Sequence, residues 1–250
     1  MASFLLALQF LTIIPVKIKK AGEQEIAASM AYFPLIGLLI GVFLAGVNAL
    51  LYNLNFSSLA SNVILVVALV VITAGLHLDG LADAADAFLS RKNQEEMLRI
   101  MHDSHIGVMG VLSLISIILL KISLLSSLNI ASKIPALLLA CMLSRWSAVW
   151  AMFLFPYARR EGKAGVFMRG MNLKILIICT IVAIVCAALI WGTRGLVALL
   201  IISACTYAIG KFSVSKIGGI TGDTLGATIE LTEIVTLLVI CAAGGGIWIS

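Results

Sequence analysis

Seven stretches of this chain, near residues 30 to 52, 59 to 78, 107 to 128, 134 to 155, 175 to 192, 195 to 211 and 231 to 249, read as crossings of a lipid bilayer. A spanning helix takes about 20 apolar residues at ~1.5 Å rise per residue. Hydrocarbon offers no partners for backbone N–H and C=O groups, so a spanning chain forms either helices or a closed barrel. With only 7% aromatic residues and no ladder of alternating segments, the sequence argues against the barrel and for helices. The expected fold is all-α, a polytopic transmembrane helical bundle of about seven spans. Composition agrees: 62% of the 250 residues are hydrophobic and 12% charged, whereas a soluble domain has about a quarter of its residues charged.

The opening MASFLLALQFLTIIPV has no basic leader and stops at Pro15. It is too short to cross, so a short N-terminal interfacial or re-entrant helix is expected rather than a signal peptide. No repeat, low-complexity tract or linker divides the chain, which is read as a single integral membrane domain, 1–250. Cys141, Cys179, Cys186, Cys205 and Cys241 are odd in number, lie in apolar stretches and form no CxxC pair. They read as small buried hydrophobes, not disulfides or metal ligands.

Seven spans leave the N-terminal region, 79 to 106, 156 to 174 and 212 to 230 on one side. Counting Lys211 with them, these segments hold thirteen basic residues, among them Lys17, Lys19, Lys20, Arg159, Arg160, Lys163 and Arg169, against Lys133 and Arg194 opposite. The positive-inside rule puts that side in the cytoplasm. All twelve Asp and Glu are assigned to the same side, although nothing in the rule asks carboxylates to follow bases. One face therefore does the polar work, and the net charge of +5 suits anionic lipid and a polyanionic substrate. Nucleic acid is a poor match, because no basic stripe interleaves with aromatics.

The densest chemistry is HLDGLADAADAF, 77 to 88, read as the continuation of the span that begins near Leu59. At about 100° per residue, Asp83 lies about 40° and Asp86 about 20° from Asp79, so the three carboxylates share a helix face. Like charges ~6 Å apart repel by roughly 3 kcal/mol per pair at an effective dielectric near ~20. A divalent cation would remove that repulsion, and hard oxygen donors point to Mg²⁺ or Mn²⁺. The small neighbours Gly80, Ala82, Ala84, Ala85 and Ala87 are read as leaving room for a metal-bound phosphate. In MHDSHIG, Asp103 is either the N-cap of the following helix or a fourth carboxylate of the cluster, or both. His102 and His105 lack the spacing of a zinc pair and suit polar or phosphate contacts.

Arg145 sits deep in the fourth span, where an intramembrane arginine suggests a functional role or a buried pairing. Lys121 is read as reaching the outer interface, without function. The loop PYARREGKAG, 156 to 165, offers Arg159 and Lys163 beside glycines, a weak anion-binding pattern. In TGDTLGATIELTE, Asp223 and Glu230 lie seven apart on one helix face, with Asp223 also a candidate N-cap.

These segments carry a resemblance. FLTIIPV (10 to 16), YFPLIGLLIG (32 to 41), HLDGLADAADA (77 to 87), MHDSHIGVMG (101 to 110), SRW (144 to 146), FPYAR (155 to 159) and TGDTLGATIE (221 to 230) run in order along nearly the whole chain. The chain resembles the adenosylcobinamide-GDP ribazoletransferase family, the cobalamin (5′-phosphate) synthases that complete vitamin B12 assembly. The resemblance implies a Mg²⁺-dependent, multi-pass enzyme of the cytoplasmic (inner) membrane whose active face is cytoplasmic. It would join adenosylcobinamide-GDP to α-ribazole, or to α-ribazole 5′-phosphate, and release GMP. By motif position it implies Asp79, Asp83, Asp86 and Asp103 in the site, with Arg145, Arg159, Asp223 and Glu230. Together with the reading of the residues, Asp79, Asp83 and Asp86 are expected at the metal, Asp103 or Asp86 to take the hydroxyl proton, and Lys163 and His105 to join Arg145, Arg159, Asp223 and Glu230 around the substrate. His102 and His105 depart from the basic residues common in relatives, which makes the charge around Asp103 pH-sensitive near neutrality. Expected partners are the two substrates, the bilayer, and a second copy or other corrinoid-assembly enzymes. An aspartate-rich membrane prenyltransferase and a cation-coupled transporter are the alternatives; the first wants a second dense aspartate motif, the second carboxylates at mid-membrane.

Overall fold

The computed structural model describes residues 2–16, 21–159 and 162–245; Lys17, Lys19, Lys20, Arg160 and Glu161 lie outside the described residues. A short apolar helix α1 (Ala2–Leu11) leads to α2 (Glu23–Ser29), which runs through a 3₁₀ turn into α3 (Phe33–Asn53). There follow α4 (Ser58–Ile72), α5 (Leu76–Leu89), α6 (Gln94–Ile100), α7 (Val108–Ser126), α8 (Ile130–Leu154), α9 (Lys163–Arg169), α10 (Leu173–Ile217) and α11 (Gly222–Ile240). Among the described residues the one β contact is an isolated parallel bridge between Tyr157 and Ile220. Of the five free cysteines, Cys141 and Cys179 are buried as expected, whereas Cys186, Cys205 and Cys241 are only partly so.

By length and hydropathy, Glu23–Asn53, α7, α8, α10 and α11 can each cross a membrane, and the bent pair α4–α5 brings the number to six. The stretches expected at 175–192 and 195–211 lie on the two arms of the 45-residue element α10, whose helix is broken at Trp191 and Gly192, so they remain two stretches. There the chain reverses, because a Cβ on Gly195 would lie 2.1 Å from the Ala187 carbonyl oxygen eight residues back, a separation of ~12 Å in a straight helix. The stretch at 59–78 is instead broken. Ala74 and Gly75 both take positive φ, 52° and 65°, and α5 leaves α4 at 89°. The aspartate helix therefore does not continue the preceding span. It is a separate 14-residue helix, ~21 Å long, too short and too acidic to cross.

The bundle has an inside and an outside. Within their most apolar windows α8 is 78% and α11 67% buried, against 33% for Glu23–Asn53, 22% for α7 and 28% for α10. α8 and α11 are the core, and the other spans turn their apolar sides outward, as lipid-facing helices do. Close packing of α3 on α8 rests on Gly37 and Gly41, whose Cβ atoms would lie 2.3 Å and 2.7 Å from α8 backbone atoms. This is the small-x-x-x-small contact by which membrane helices approach without side chains between them.

Candidate active site

α5 packs along α11 so tightly that a Cβ on Gly80 would sit 2.9 Å from the Asp223 carbonyl oxygen and 3.0 Å from its Cα. Gly226 in turn faces the His77 carbonyl oxygen at 3.1 Å. The small residues of the aspartate helix are thus consumed by packing, with Gly80, Ala82, Ala84 and Ala87 buried. They do not form an open berth for a phosphate. Their effect is to set Asp223, at the start of α11, beside the carboxylates of α5.

The loop after α8 completes this group. Ala158 N donates to Ile220 O at 2.9 Å, and Ile220 N donates to Pro156 O at 2.8 Å, which lays residues 156–159 alongside the entry to α11. Arg159 Nη2 then donates to Asp223 Oδ2 at 2.8 Å. The N-cap of α11 is Thr221, in a capping box with Thr224, not Asp223. Asp223 lies in the first turn, where a negative charge is favoured by the helix dipole.

Asp79 is exposed and Asp83 partly so. Neither carboxylate has a hydrogen-bond partner among the described residues, and Arg159 is the basic group that offsets Asp83. The Asp83 carboxyl is accordingly pushed up to about 7, first by burial, then by Asp79, Asp223 and Asp86, with Arg159 opposing. Among the described residues this group carries a surplus of negative charge, with Arg159 its one basic partner.

Asp86 has a different setting. Its Oδ2 accepts from Gly107 N at 2.6 Å and its Oδ1 from Gly110 N at 2.8 Å. It caps α7 from across space, satisfying two of the amides that a helix start leaves open. The N-cap position of α7 is Gly107, so Asp103 is not that cap. Asp103 also stays out of the carboxylate group. It accepts from His105 N at 3.0 Å and lies 2.6 Å from His105 Nδ1, with both side chains largely exposed. These bonds from His105 hold its carboxyl below the ordinary range. Lys163 opens α9, and its side chain lies outside the described residues.

Arg145 and Glu230 belong to a second cluster, deep in the bundle. Lys121 Nζ donates to Glu230 Oε2 at 2.6 Å and to Glu233 Oε2 at 2.5 Å. Arg145 pairs with Glu233 and donates to Ser144 Oγ at 3.0 Å. All four charged residues are at most 4% exposed. Lys121 therefore does not reach the interface, and Glu230 and Glu233 do not belong to the polar face to which the sequence assigned them. A lysine inside an apolar span carries the same signal as Arg145, and Glu230 and Glu233, three apart on α11, share a face that could receive it.

Beside Asp79 a cleft of about 630 Å³ opens between α1, the α4–α5 bend and α7, lined in part by Gln9, Phe10, Leu76, Ile106 and Leu114. Among the described residues no three His, Cys, Asp or Glu side chains converge on one point.

The fold and site define a multi-pass helical membrane protein with an acidic centre gripped between α5 and α11. The chain belongs to the cobalamin-5-phosphate synthase family, whose model matches residues 3–241. Its relatives include proteins named adenosylcobinamide-GDP ribazoletransferase. That of Desulforamulus reducens is 37% identical over 93% of this chain and 93% of its own length. That of Roseiflexus is 38% identical over 92% and 86%, and that of Geotalea daltonii 35% identical over 97% and 98%. No solved structure matches. Nothing in the comparisons supports a prenyltransferase or a transporter.

Proposed function

We propose that this chain is a Mg²⁺-dependent transferase of the inner membrane that joins adenosylcobinamide-GDP to α-ribazole or its 5′-phosphate, releasing GMP at the cytoplasmic face. The observation that carries the reading is the group Asp79, Asp83 and Asp223, three carboxylates from two helices with one guanidinium among them, in a chain of this family. Mg²⁺ keeps several waters and takes one or two protein carboxylates together with substrate phosphates. The donors fit: all are hard oxygens, and the charge surplus is of the required sign. Asp83 and Asp223 would hold the ion. When bound, it neutralises the diphosphate and the oxygen on which GMP leaves.

The remaining roles fall to residues whose placement suits them. Arg159, fixed by Asp223 through one nitrogen, keeps its other N–H donors for a phosphate oxygen. Asp79 Oδ, without a hydrogen-bond partner among the described residues and on the wall of the cleft, takes the proton from a ribose ring hydroxyl, which α-ribazole and its 5′-phosphate both carry, as that oxygen attacks the phosphorus bonded to the aminopropanol linker and GMP leaves. The proton role passes to it from Asp86 and Asp103, which give their oxygens to the α7 amides and to His105. Asp86 holds α5 against α7. Arg145 and Glu230 act through the position of α11, not on the substrate.

The test is GMP release by purified protein in lipid nanodiscs with both substrates. The expected result is release that requires Mg²⁺ and falls at least ~10³-fold in Asp83→Asn while the protein stays folded. Equal release by the native protein in excess chelator would refute it.

A further inference from the structure

The 630 Å³ cleft beside Asp79 has a construction of its own. Its roof is α1, pinned over the α4–α5 bend where Ile13 N donates to Ile72 O at 2.8 Å. Phe10 faces it from an aromatic group in which its ring lies 5.8 Å from Phe33, stacked, and 4.7 Å from Phe167. Leu76, Ile106 and Leu114 supply the apolar remainder. Four polar side chains break this wall: Thr12 and Thr73, whose hydroxyls donate to Leu8 O and Leu69 O, and Asp79 and Gln9, neither of which has a hydrogen-bond partner among the described residues.

We propose that this cleft seats the acceptor nucleoside, its fused-ring base against Phe10 and Leu114 and its sugar hydroxyl at Asp79. The inference rests on the transferase reading and assigns one of its two substrates a place. Three considerations lead to it. Pockets of about 300–1,000 Å³ suit ligands of drug size; a nucleoside fits, whereas a corrinoid carrying GDP is several times too large. An apolar base gains from aromatic and aliphatic walls, and a carboxylate with an amide at the rim disfavours a lipid acyl chain but suits a ribose. Finally, Asp79 is shared by the cleft and the carboxylate group, so a nucleoside seated here presents its hydroxyl toward Asp83 and Asp223.

Two measurements test it on the full chain in nanodiscs. In steady-state kinetics Leu114→Trp, which fills the cleft, is expected to raise KM for α-ribazole at least tenfold and to leave KM for adenosylcobinamide-GDP within twofold. In maleimide labelling without turnover, α-ribazole is expected to protect a Gln9→Cys variant and not a Leu89→Cys variant at the exposed end of α5. An unchanged KM for α-ribazole with a raised KM for the corrinoid would overturn the proposal. So would protection by the corrinoid alone, or labelling at position 9 that neither substrate alters. Native protein that releases no GMP would overturn the transferase reading instead, and α-ribazole protection at position 9 would still decide the cleft.

Discussion

Replacing Gly80 by alanine should separate activity from stability, because the new methyl would meet backbone rather than a movable side chain. It would lie 2.9 Å from the Asp223 carbonyl oxygen, where ordinary contact begins at 3.4 Å, so α11 must retreat by about 0.5 Å at that point. Overpacking of this kind costs about 1–3 kcal/mol, and the better helix propensity of alanine offsets ~1 kcal/mol of it. The net loss of stability is then only ~0–2 kcal/mol, a shift of a few degrees in the unfolding midpoint. The catalytic effect is larger, since ~1 Å of misplacement costs on the order of 10²-fold in rate and the displaced residue is a proposed Mg²⁺ ligand. We expect GMP release to fall about 10–100-fold, with half-saturating Mg²⁺ raised. Gly226→Ala, facing the His77 carbonyl oxygen at 3.1 Å, should lose less. Gly46→Ala, with nothing within 4 Å, should lose nothing. Turnover and thermal unfolding of the three variants in nanodiscs test the order. Gly80→Ala within about threefold of native turnover, or Gly46→Ala as impaired as Gly80→Ala, would refute the reasoning.

Lys121→Met leaves Glu230 and Glu233 facing each other in the core, and should destabilise the protein by about 3–5 kcal/mol; adding Glu230→Gln should restore at least half, and thermal unfolding of a double variant no better than the single one would contradict this. The pH dependence of Mg²⁺ binding follows from Asp83. Its carboxyl without the ion is raised to about 7, so below that pH a proton occupies the site and must be displaced. Apparent affinity for Mg²⁺, read from half-saturation of GMP release, should therefore level off above pH ~7 and weaken as pH falls below it, by up to ~10-fold per unit. Affinity that is flat from pH 6 to 8, or that strengthens toward acid, would show that Asp83 is not at the ion.

The apolar stretches and the period of Asp79, Asp83 and Asp86 were legible along the chain, because each is a local pattern read against one physical scale. The α4–α5 bend was not: a hydropathy window averages over Ala74 and Gly75, whose positive φ values turn the chain without changing its polarity. The partner of Asp86 was hidden for a different reason. Its bonds run to the amides of Gly107 and Gly110, and backbone donors carry no mark in a sequence. Arg145 stood out inside its span, with a buried pairing among its readings, yet all twelve carboxylates were counted on the polar face, so its partner Glu233 was not identified.

That error points to how the site is built. α11 carries two polar levels: Asp223 in its first turn, and Glu230 and Glu233 about two turns deeper. The deep pair is bound by Lys121 from α7 and by Arg145 from α8. Those bonds fix both the depth and the rotation of α11, since a slip of one residue would turn Glu233 about 100° away from Arg145. Asp86, bonded to the α7 amides, fixes α5 to the same helix. The separation of Asp83 from Asp223 is therefore set through α7, which holds α5 by one carboxylate and α11 by one ammonium group. Buried charge has a role on this account: it places the two carboxylates that, in the proposed site, would share an ion.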